Sequence, residues 1–343
     1  MASSVGGLHR GSVLFVALAA MALIIGCGHR DGADPNPGAP VTYSATSIAV
    51  GFGFACATLA DGTAWCWGEN ARQLTGAKDL RMVEAGLNDV CGIDRNDRMA
   101  CWRVGDGATG IRRLGDVAPR NAIRAVGIRG GGRCVVTAEG RQLCGEVAAG
   151  SLTPTAMTRG VLKTTGPWPS CAIGSGGSLV CAPFPGAGVD QRLAESGVRD
   201  VAAGDDAVCA AYGTPIVRCW DFDPVLGATS RTMTLPASIE KVRVSHELYC
   251  VLAADGRSFC WGTNLYGAQG DGSYKQGGGD TLEPQQVRTA ERFTDLSVGS
   301  TNACGLTQEG KVVCWGNNAD GVVGQGHLDR VRGPRTVAVL GSK

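Results

Sequence analysis

The sequence predicts an all-β protein, built as a β-propeller from repeated four-stranded blades. Fourteen of the fifteen cysteines form seven pairs, and the two cysteines of each pair are ten positions apart. The pairs begin 35, 43, 37, 38, 41 and 54 residues after one another, so the repeating unit is about forty residues long. A unit of that length suits one four-stranded blade, and the 53 glycines supply the tight turns that short strands need.

Each cysteine pair is predicted to close a β-hairpin. In the first unit the loop Ala60-Asp61-Gly62 lies midway between Cys56 and Cys66, which places the two cysteines opposite each other. The third position of such a loop favours a left-handed conformation, and glycine occupies it in every unit except at Asp97 and Pro215. Opposed residues on antiparallel strands are close enough for a disulfide. The predicted bridges are Cys56–Cys66, Cys91–Cys101, Cys134–Cys144, Cys171–Cys181, Cys209–Cys219, Cys250–Cys260 and Cys304–Cys314.

Two other roles for the paired cysteines fit the sequence less well. Structural zinc sites usually take cysteines two to four residues apart, and no unit supplies a matching pair of histidines. A catalytic redox pair would be redundant in seven copies. Structural bridges are therefore expected.

A glycine and a tryptophan recur at fixed distances from the cysteines. The glycine lies five residues before the first cysteine at Gly51, Gly86, Gly166, Gly204 and Gly299. The tryptophan follows the second cysteine at Trp67, Trp102, Trp220, Trp261 and Trp315. Large aromatic side chains repeated at one structural position are expected to pack between neighbouring units rather than to bind five ligands.

The full pattern, C-x-L-x-x-D/E-G-x-x-x-CWGxNxxGxxG, resembles the repeat of the regulator of chromosome condensation family in its bacterial, cysteine-paired form. The resemblance covers about residues 47–343 and is strongest in the first, sixth and seventh units. It implies a seven-bladed β-propeller, and a ring that can bind proteins. Family repeats often have His two residues before the first cysteine, where this chain has Phe54, Asp89, Gly132, Pro169, Ala207, Leu248 and Asn302.

The ring is expected to be closed by the C-terminal strand. The segment GPRTVAVLG (333–341) resembles the strand that precedes the later hairpins, but no hairpin follows it. The first hairpin has no such strand before it. The last strand is therefore predicted to complete the first blade and to remove an open sheet edge.

Residues 1–26 are predicted to be a lipoprotein signal peptide. His9 and Arg10 precede an uncharged run that ends in Ile-Ile-Gly-Cys27, which resembles the bacterial lipobox. This resemblance implies that Cys27 becomes the acylated N-terminus, carrying fatty acids such as palmitate. A single membrane span is the alternative, and the isolated cysteine at this position argues against it.

The expected location is the bacterial cell envelope. Gly28 after the cysteine favours the outer membrane by resemblance to Gram-negative lipoproteins, with the propeller facing either the periplasm or the surface. Residues 27–46 would form the lipidated cysteine and a flexible tether, and residues 47–343 the propeller. An oxidising compartment also agrees with seven disulfides.

The sequence offers little sign of catalysis. Lys and Arg number 32 against 31 Asp and Glu, so no basic excess would attract nucleic acid. Phosphate-loop and zinc-protease motifs are missing, and no cofactor or metal is expected. His246 and His327 are expected to be solvated loop residues. Turn and solvation roles are expected for the acidic spots at Asp205-Asp206, Asp221-Phe222-Asp223 and Asp271 to Asp280, none of which has calcium-loop spacing.

The predicted function is therefore that of a non-enzymatic, membrane-anchored binding module, expected to be a monomer, that recognises a protein or an envelope glycan. The long insertion in the sixth unit carries Tyr266, Tyr274 and Lys275 among glycines, which are the candidate contact residues. They could equally belong to a long loop without a function. The alternative is an envelope polysaccharide hydrolase or lyase that uses acidic loop residues.

Overall fold

The chain forms seven antiparallel sheets of four strands each in a computed structural model. The structure describes residues 43–105, 110–117, 122–129, 131–146, 152–155, 160–166, 170–181, 194–223, 227–274, 281–328, 331 and 333–340. Each sheet is one blade, and its strands lie side by side in their order along the chain. The prediction of an all-β, seven-bladed propeller is confirmed.

The strands of the first four blades have the following bounds. Blade one contains β1 (Ala45–Val50), β2 (Ala55–Leu59), β3 (Ala64–Trp67) and β4 (Arg72–Gln73). Blade two contains β5 (Leu80–Ala85), β6 (Asp89–Asp94), β7 (Met99–Val104) and β8 (Ile111–Val117). Blade three contains β9 (Ile123–Arg129), β10 (Gly132–Thr137), β11 (Gln142–Glu146) and β12 (Thr153–Pro154). Blade four contains β13 (Val161–Thr164), β14 (Cys171–Gly174), β15 (Leu179–Cys181) and β16 (Ala194–Glu195).

The strands of the last three blades have the following bounds. Blade five contains β17 (Asp200–Ala203), β18 (Ala207–Ala211), β19 (Ile216–Asp223) and β20 (Gly227–Thr234). Blade six contains β21 (Ile239–Ser245), β22 (Leu248–Ala253), β23 (Ser258–Gly262) and β24 (Thr281–Gln286), with a 3-10 turn at Leu265–Gly267. Blade seven contains β25 (Phe293–Val298), β26 (Asn302–Thr307), β27 (Val312–Gly316) and β28 (Arg335–Thr336).

The first strand of every blade is innermost, because it contacts the first strands of both neighbouring blades. These contacts run from β1 through β5, β9, β13, β17, β21 and β25 and return to β1, so the blades form a closed ring around a central channel. A separate hydrophobic cluster fills each of the seven spaces between neighbouring blades. Each blade is thus held mainly by its two neighbours, as in other repeat proteins.

All seven predicted disulfides are present, one in each blade. The two cysteines of every pair are directly opposed on the second and third strands. Their Cα atoms are 3.9–4.1 Å apart. Each bridge closes a short local loop, which contributes roughly 2–3 kcal/mol by the chain-entropy estimate.

The turn of each cysteine hairpin has the left-handed residue that the loop length predicts. The five glycines at the third loop position all have positive φ, and Asp97 adopts the same conformation with φ of 58°. Pro215 cannot do so, because its ring fixes φ near −65°. In the fifth blade Gly213 has the positive φ, of 70°, instead.

These turns also join each blade to the next. A turn carbonyl accepts a hydrogen bond from the N–H at the start of the following blade. The seven bonds are Leu80 to Gly62 (3.0 Å), Ile123 to Asp97 (2.9 Å), Val161 to Gly140 (3.0 Å), Val198 to Gly177 (2.9 Å), Ile239 to Thr214 (2.9 Å), Phe293 to Gly256 (2.8 Å) and Ala45 to Gly310 (2.8 Å). Because the last bond runs from blade one to blade seven, the same interaction that repeats along the chain also closes the ring.

The recurrent tryptophans pack against the preceding blade, as predicted. The indole Nε1 of Trp102 donates to the carbonyl of Thr75 at 3.0 Å, and that of Trp315 donates to Ala268 at 3.0 Å. Trp67 does the same across the ring closure, with Val322 at 2.9 Å. Trp220 and Trp261 are buried in the clusters that blades five and six form with the preceding blade.

The recurrent glycines allow the inner ends of the blades to approach closely. A Cβ on Gly299 would lie 3.0 Å from the carbonyl oxygen of Gly51, and a Cβ on Gly51 would lie 2.9 Å from that of Gly86. Both distances are shorter than ordinary van der Waals contacts. Glycine is therefore required at these inner turns because a side chain would separate neighbouring blades.

The C-terminal strand takes a different partner from the one expected. β28 pairs with β27 within blade seven, so the prediction that it completes the first blade is wrong. Blade one has no vacant edge for it, because Arg72–Gln73 already supplies its fourth strand. Ring closure by the C-terminal segment is still consistent with the structure: Val337 packs beside Trp67 between blades seven and one.

The propeller begins slightly before the boundary predicted at residue 47. β1 starts at Ala45, and the Tyr43 hydroxyl donates to the carbonyl of Val337 at 3.0 Å. The start of β1 is fixed by its bond to Gly310, a contact with the last blade that local sequence does not reveal. Cys27, the signal segment and most of the tether lie outside the described residues. Within the described part, no helix is long and apolar enough to cross a membrane.

Candidate functional site

The two ends of the ring differ in the segments that they present. Antiparallel strands place the turns between first and second strands, and the loops between third and fourth strands, at one end, here called the loop face. The described residues of this face are 51–54, 68–71, 86–88, 105, 110, 131, 152, 165–166, 170, 204–206, 246–247, 263–274, 299–301, 317–328, 331 and 333–334. The cysteine hairpins and the connections between blades form the opposite end, the hairpin face.

Two of the predicted contact residues lie on the loop face. Tyr266 is 38% exposed and has φ of 63°, a conformation that is strained for a bulky side chain. Tyr274 follows in the same loop of blade six and is partly buried. Lys275 lies outside the described residues. The structure thus brings the two tyrosines into one loop, whose neighbouring positions from Gly267 to Gly270 are buried.

Three exposed apolar side chains on the loop face were missed by the sequence analysis: Leu328, which is 52% exposed, and the neighbouring residues Phe52 and Leu87. Phe52 is 55% exposed and Leu87 is 53% exposed. The two turns are joined because the N–H of Phe52 donates to the carbonyl of Leu87 at 3.0 Å. Both residues directly follow a recurrent glycine, Gly51 or Gly86. Their position directly after the recurrent glycine is therefore the sequence feature that could have identified them.

Polar side chains from the inner turns of blades three, five and six interact with one another. The carboxylate of Asp205 pairs with the guanidinium of Arg129 and with Nδ1 of His246, which lies 3.0 Å away. Burial would raise the pKa of Asp205, but its hydrogen bonds and the charge of Arg129 hold that pKa below the usual value. Asp205 is thus ionised and engaged within the protein.

The other acidic spots have local partners. Asp221 accepts a hydrogen bond from the Tyr249 hydroxyl at 3.4 Å. Asp271 accepts from the backbone N–H of Ser273 at 2.9 Å and from its hydroxyl at 2.7 Å, as the predicted turn role requires. Asp280 lies outside the described residues.

The loop face is acidic in its described residues. It carries six carboxylates and no Lys or Arg there; the six are Glu69, Asp205, Asp206, Glu247, Asp271 and Asp320. The hairpin face carries both signs, as in the ion pairs Arg257–Asp255 and Lys311–Glu291. Among the described residues, charge is therefore distributed unevenly between the two ends, although the net charge of the chain is only +1.

Ion pairs link the innermost strands of blades four to seven along the channel. Asp200 pairs with Lys163 and with Arg243, whose Nη1 lies 3.1 Å away. Arg243 also reaches Asp295, at 3.0 Å, and Lys241 pairs with the same carboxylate at 3.1 Å. These contacts fix neighbouring inner strands, and every carboxylate among them has a cationic partner.

Glu84 on the inner strand of blade two has a perturbed carboxyl group. Burial raises its pKa to about 7, although the positive charges of Arg243 and Lys163 act in the opposite direction. No hydrogen bond or ion pair joins this carboxyl to another described residue. Glu84 is thus the titratable group of the channel that is least compensated.

Hydrolysis of a glycan, the alternative function, has a specific geometric requirement. Cleavage of a glycosidic bond needs a carboxyl group held protonated and a second carboxylate facing it across the substrate. An open cavity of about 590 Å³ beside the outermost strand of blade six is lined by Asp271 and by residues 286–290, so it holds one carboxylate. Among the described residues, no three His, Cys, Asp or Glu side chains are grouped as metal ligands.

Comparison with known proteins identifies the repeat. The family model of the regulator of chromosome condensation (RCC1) repeat matches residues 45–73 and 293–322. The first match spans the four strands of blade one, and the second covers the first three strands of blade seven. Blades one and seven of this seven-bladed propeller, which has one disulfide in each blade, therefore contain segments that match the RCC1 repeat.

Curated relatives match only part of the chain. The mitochondrial RCC1 domain-containing protein RUG3 of Arabidopsis thaliana is 28% identical over 123 residues, which are 34% of this chain and 26% of RUG3. The human X-linked retinitis pigmentosa GTPase regulator is 32% identical over 98 residues, 26% of this chain and 10% of the regulator. The chain thus aligns with about a quarter or less of the length of these relatives.

A solved structure supports the fold alone. The ectodomain of the Arabidopsis thaliana receptor kinase ACR4 superposes with a TM-score of 0.53 and 18% identity. The match covers 82% of this chain and 98% of the ectodomain.

Proposed function

We propose that this RCC1-repeat propeller is a non-enzymatic recognition module that binds a protein through its loop face, held at the membrane of a bacterial cell envelope by a lipidated Cys27. The observation that carries the binding role is the combination of exposed Phe52, Leu87 and Tyr266 on one end of a ring stapled by seven bridges. Residues on a backbone that is already ordered lose less conformational entropy on binding than residues of a flexible segment do.

A protein partner is favoured over a glycan by the apolar character of these side chains. Aromatic residues are enriched at the centres of protein interfaces, where they fill pockets on the partner. Phe52 and Leu87 offer no hydroxyl or amide groups to bind sugar hydroxyls. A propeller with RCC1 repeats presents such side chains on turns whose backbone is fixed by the neighbouring blades.

The binding role is tested by chemical cross-linking in a membrane extract, followed by a screen against envelope glycans. The probe is the full chain, compared with a Phe52→Ser/Leu87→Ser variant and with a Glu240→Gln/Glu309→Gln variant. The latter, called the hairpin-face variant, changes a residue in the hairpin turn of blade seven and one in β21 near the end that adjoins the hairpin face. We expect a protein to be cross-linked to the full chain and to the Glu240→Gln/Glu309→Gln variant, but not to the Phe52→Ser/Leu87→Ser variant. Turnover of an envelope polysaccharide that a single acidic substitution abolishes would overturn the proposal in favour of a hydrolase.

The membrane anchor has its own test. Seven disulfides support an oxidising compartment, and the sequence Ile-Ile-Gly-Cys27 supports acylation of the thiol. We expect mass spectrometry of the mature protein to find an acylated Cys27 at its N-terminus, and Cys27→Ser to leave an uncleaved or mislocalised precursor. An unmodified N-terminus produced by cleavage elsewhere in residues 1–26 would contradict the anchor without affecting the binding role.

A further inference from the structure

The loop face combines two kinds of exposed group around the mouth of the channel. Phe52 and Leu87 lie on the inner turns of blades one and two, and both side chains are more than half exposed. Single exposed apolar residues are common on protein surfaces. These two are neighbours, because a backbone hydrogen bond of 3.0 Å joins their turns. Together they form an apolar pair in a fixed position.

Two carboxylates lie on the other side of the mouth. Asp206 and Glu247 are exposed on the inner turns of blades five and six. The turns are held together because Asp205 pairs with His246 at 3.0 Å. That contact uses the carboxylate of Asp205 and leaves those of Asp206 and Glu247 without a hydrogen bond or ion pair to any residue that the structure describes.

The surrounding charge adds to this local pattern. The described residues of the loop face include carboxylates and no Lys or Arg, so these residues would repel a polyanion such as a nucleic acid or an anionic lipid surface. A cation from a partner would be attracted to the acidic side of the mouth. Tyr266 on blade six, the blade that also carries Glu247, adds an exposed ring to which an Arg or Lys side chain can pack.

We infer that the loop face binds a protein segment in which Lys or Arg lies close to aromatic or aliphatic side chains. The cation meets Asp206 and Glu247, and the apolar side chains meet Phe52 and Leu87. This inference rests on the proposed function and gives the partner its chemistry. The two halves of the site make different contributions: the apolar pair buries surface, whereas the carboxylates select the partner and accelerate the encounter.

The test is a selection of short random peptides displayed on phage against the full chain. We expect the enriched peptides to combine Lys or Arg with aromatic or aliphatic residues. For synthetic copies of these peptides, Asp206→Asn/Glu247→Gln should weaken binding by roughly tenfold or more and reduce its dependence on salt. Phe52→Ser/Leu87→Ser should weaken binding to a similar extent while leaving the salt dependence in place.

The hairpin-face variant Glu240→Gln/Glu309→Gln is the matched control, since it also removes two exposed carboxylates. It should bind like the parent, and circular dichroism should show all variants folded. Enriched peptides that are acidic or lack a cation, yet still compete at Phe52 and Leu87, would overturn this inference and leave the proposed function intact. Failure to enrich any peptide, or binding that only the hairpin-face variant affects, would count against both.

Discussion

Cys144 differs from the other bridged cysteines because its side chain is only partly buried, whereas the remaining thirteen are shielded from solvent. Gly145 follows it at the position where five other blades have tryptophan. Thiol–disulfide exchange requires that a thiolate reach one of the two sulfurs. We therefore expect limiting dithiothreitol under native conditions to reduce Cys134–Cys144 first, as measured by differential alkylation and mass spectrometry. Earlier reduction of a fully buried bridge such as Cys304–Cys314 would contradict this.

Glu84 should make stability depend on pH. Its pKa is about 7 in the folded protein against an ordinary value of 4.5, so the folded state binds this proton more tightly than the unfolded chain does. Its contribution to stability is complete below pH 4.5 and is lost as the pH rises through 7. The facing charges are those of Arg243, Lys163, Asp295 and Asp200.

Glu84→Gln removes this titration while keeping the size of the side chain. We expect the variant to be more stable than the parent at pH 8 and to differ little at pH 5, measured by urea unfolding at both values. The other channel groups are unchanged in the variant, so the difference between the two proteins isolates Glu84. An equal change in stability at pH 5 and pH 8 would show that the carboxyl is not selectively destabilised when ionised.

At the level of single residues, the sequence predicts a structural role where the residue type repeats. The cysteines, the turn glycines and the tryptophans recur because each unit makes the same local contact, so their spacing reveals their role. Phe52 and Leu87 were missed because the position after the recurrent glycine holds a different residue in other blades, for example Asp205 and Ser300. A position whose residue type varies between blades shows no periodicity in the sequence. Phe52 and Leu87 are therefore recognised only by the exposure of their side chains in the folded ring.

At the scale of the elements, each cysteine hairpin cross-links two strands of its own blade and also accepts a backbone hydrogen bond from the next blade. Gly310 lies at the hairpin turn of blade seven and accepts the bond from Ala45 that closes the ring. Its φ is 79°, and a Cβ there would lie 2.4 Å from Oγ of Ser44 and 3.1 Å from the backbone N of Ala45. Alanine at this position would therefore be strained twice, by its own backbone and by the first blade.

Gly310→Ala should thus be more destabilising than Gly176→Ala. Gly176 has a similar φ of 85°, but nothing lies within 4 Å of a Cβ built on it. Left-handed backbone alone costs about 1–2 kcal/mol for an alanine, which applies to both variants. Thermal unfolding should show the larger fall in Tm for Gly310→Ala. Equal effects would mean that the contact between the last and first blades does not contribute to stability.

The boundary between neighbouring repeat units was predicted incorrectly from the sequence. The strand that precedes each later hairpin was assigned to that hairpin, whereas in blade six Gln285 and Gln286 of this strand pair with the third strand of the preceding hairpin. The predicted and the observed assignments place the same cysteines opposite each other. They differ only in which of two neighbouring units receives the strand, and the hairpin is the same in both. Local pattern therefore predicts the hairpins, and contacts between units decide where a blade begins and ends.

At the scale of the whole molecule, the uneven charge of the two faces could not be anticipated from composition. The chain has nearly equal numbers of acidic and basic residues. Successive connections between strands lie alternately on the loop face and on the hairpin face. The difference in charge between the two faces therefore appears only when the connections of each face are considered together. The seven-bladed architecture makes that grouping possible, and the acidic loop face follows from it.

The interface between blades three and four is the weakest part of the ring in its described residues. Its hydrophobic cluster contains Val136, Val161 and Ala172, far fewer buried side chains than the other interfaces have. It also buries the polar Gln142, whose Nε2 donates to Thr164 at 2.6 Å. Blades three and four both lack the tryptophan that joins a blade to its predecessor.

Unfolding should therefore begin at blades three and four. In a repeat architecture, stability depends on interfaces between nearest neighbours, so the ring opens where the coupling is smallest. Hydrogen exchange under native conditions should show amides of β10 and β14 exchanging before those of β22 and β26. Reduction of all seven bridges, each contributing roughly 2–3 kcal/mol, should lower Tm and keep this order. Earlier exchange in blades six and seven would show that the hydrophobic clusters and tryptophan contacts do not determine where the ring opens.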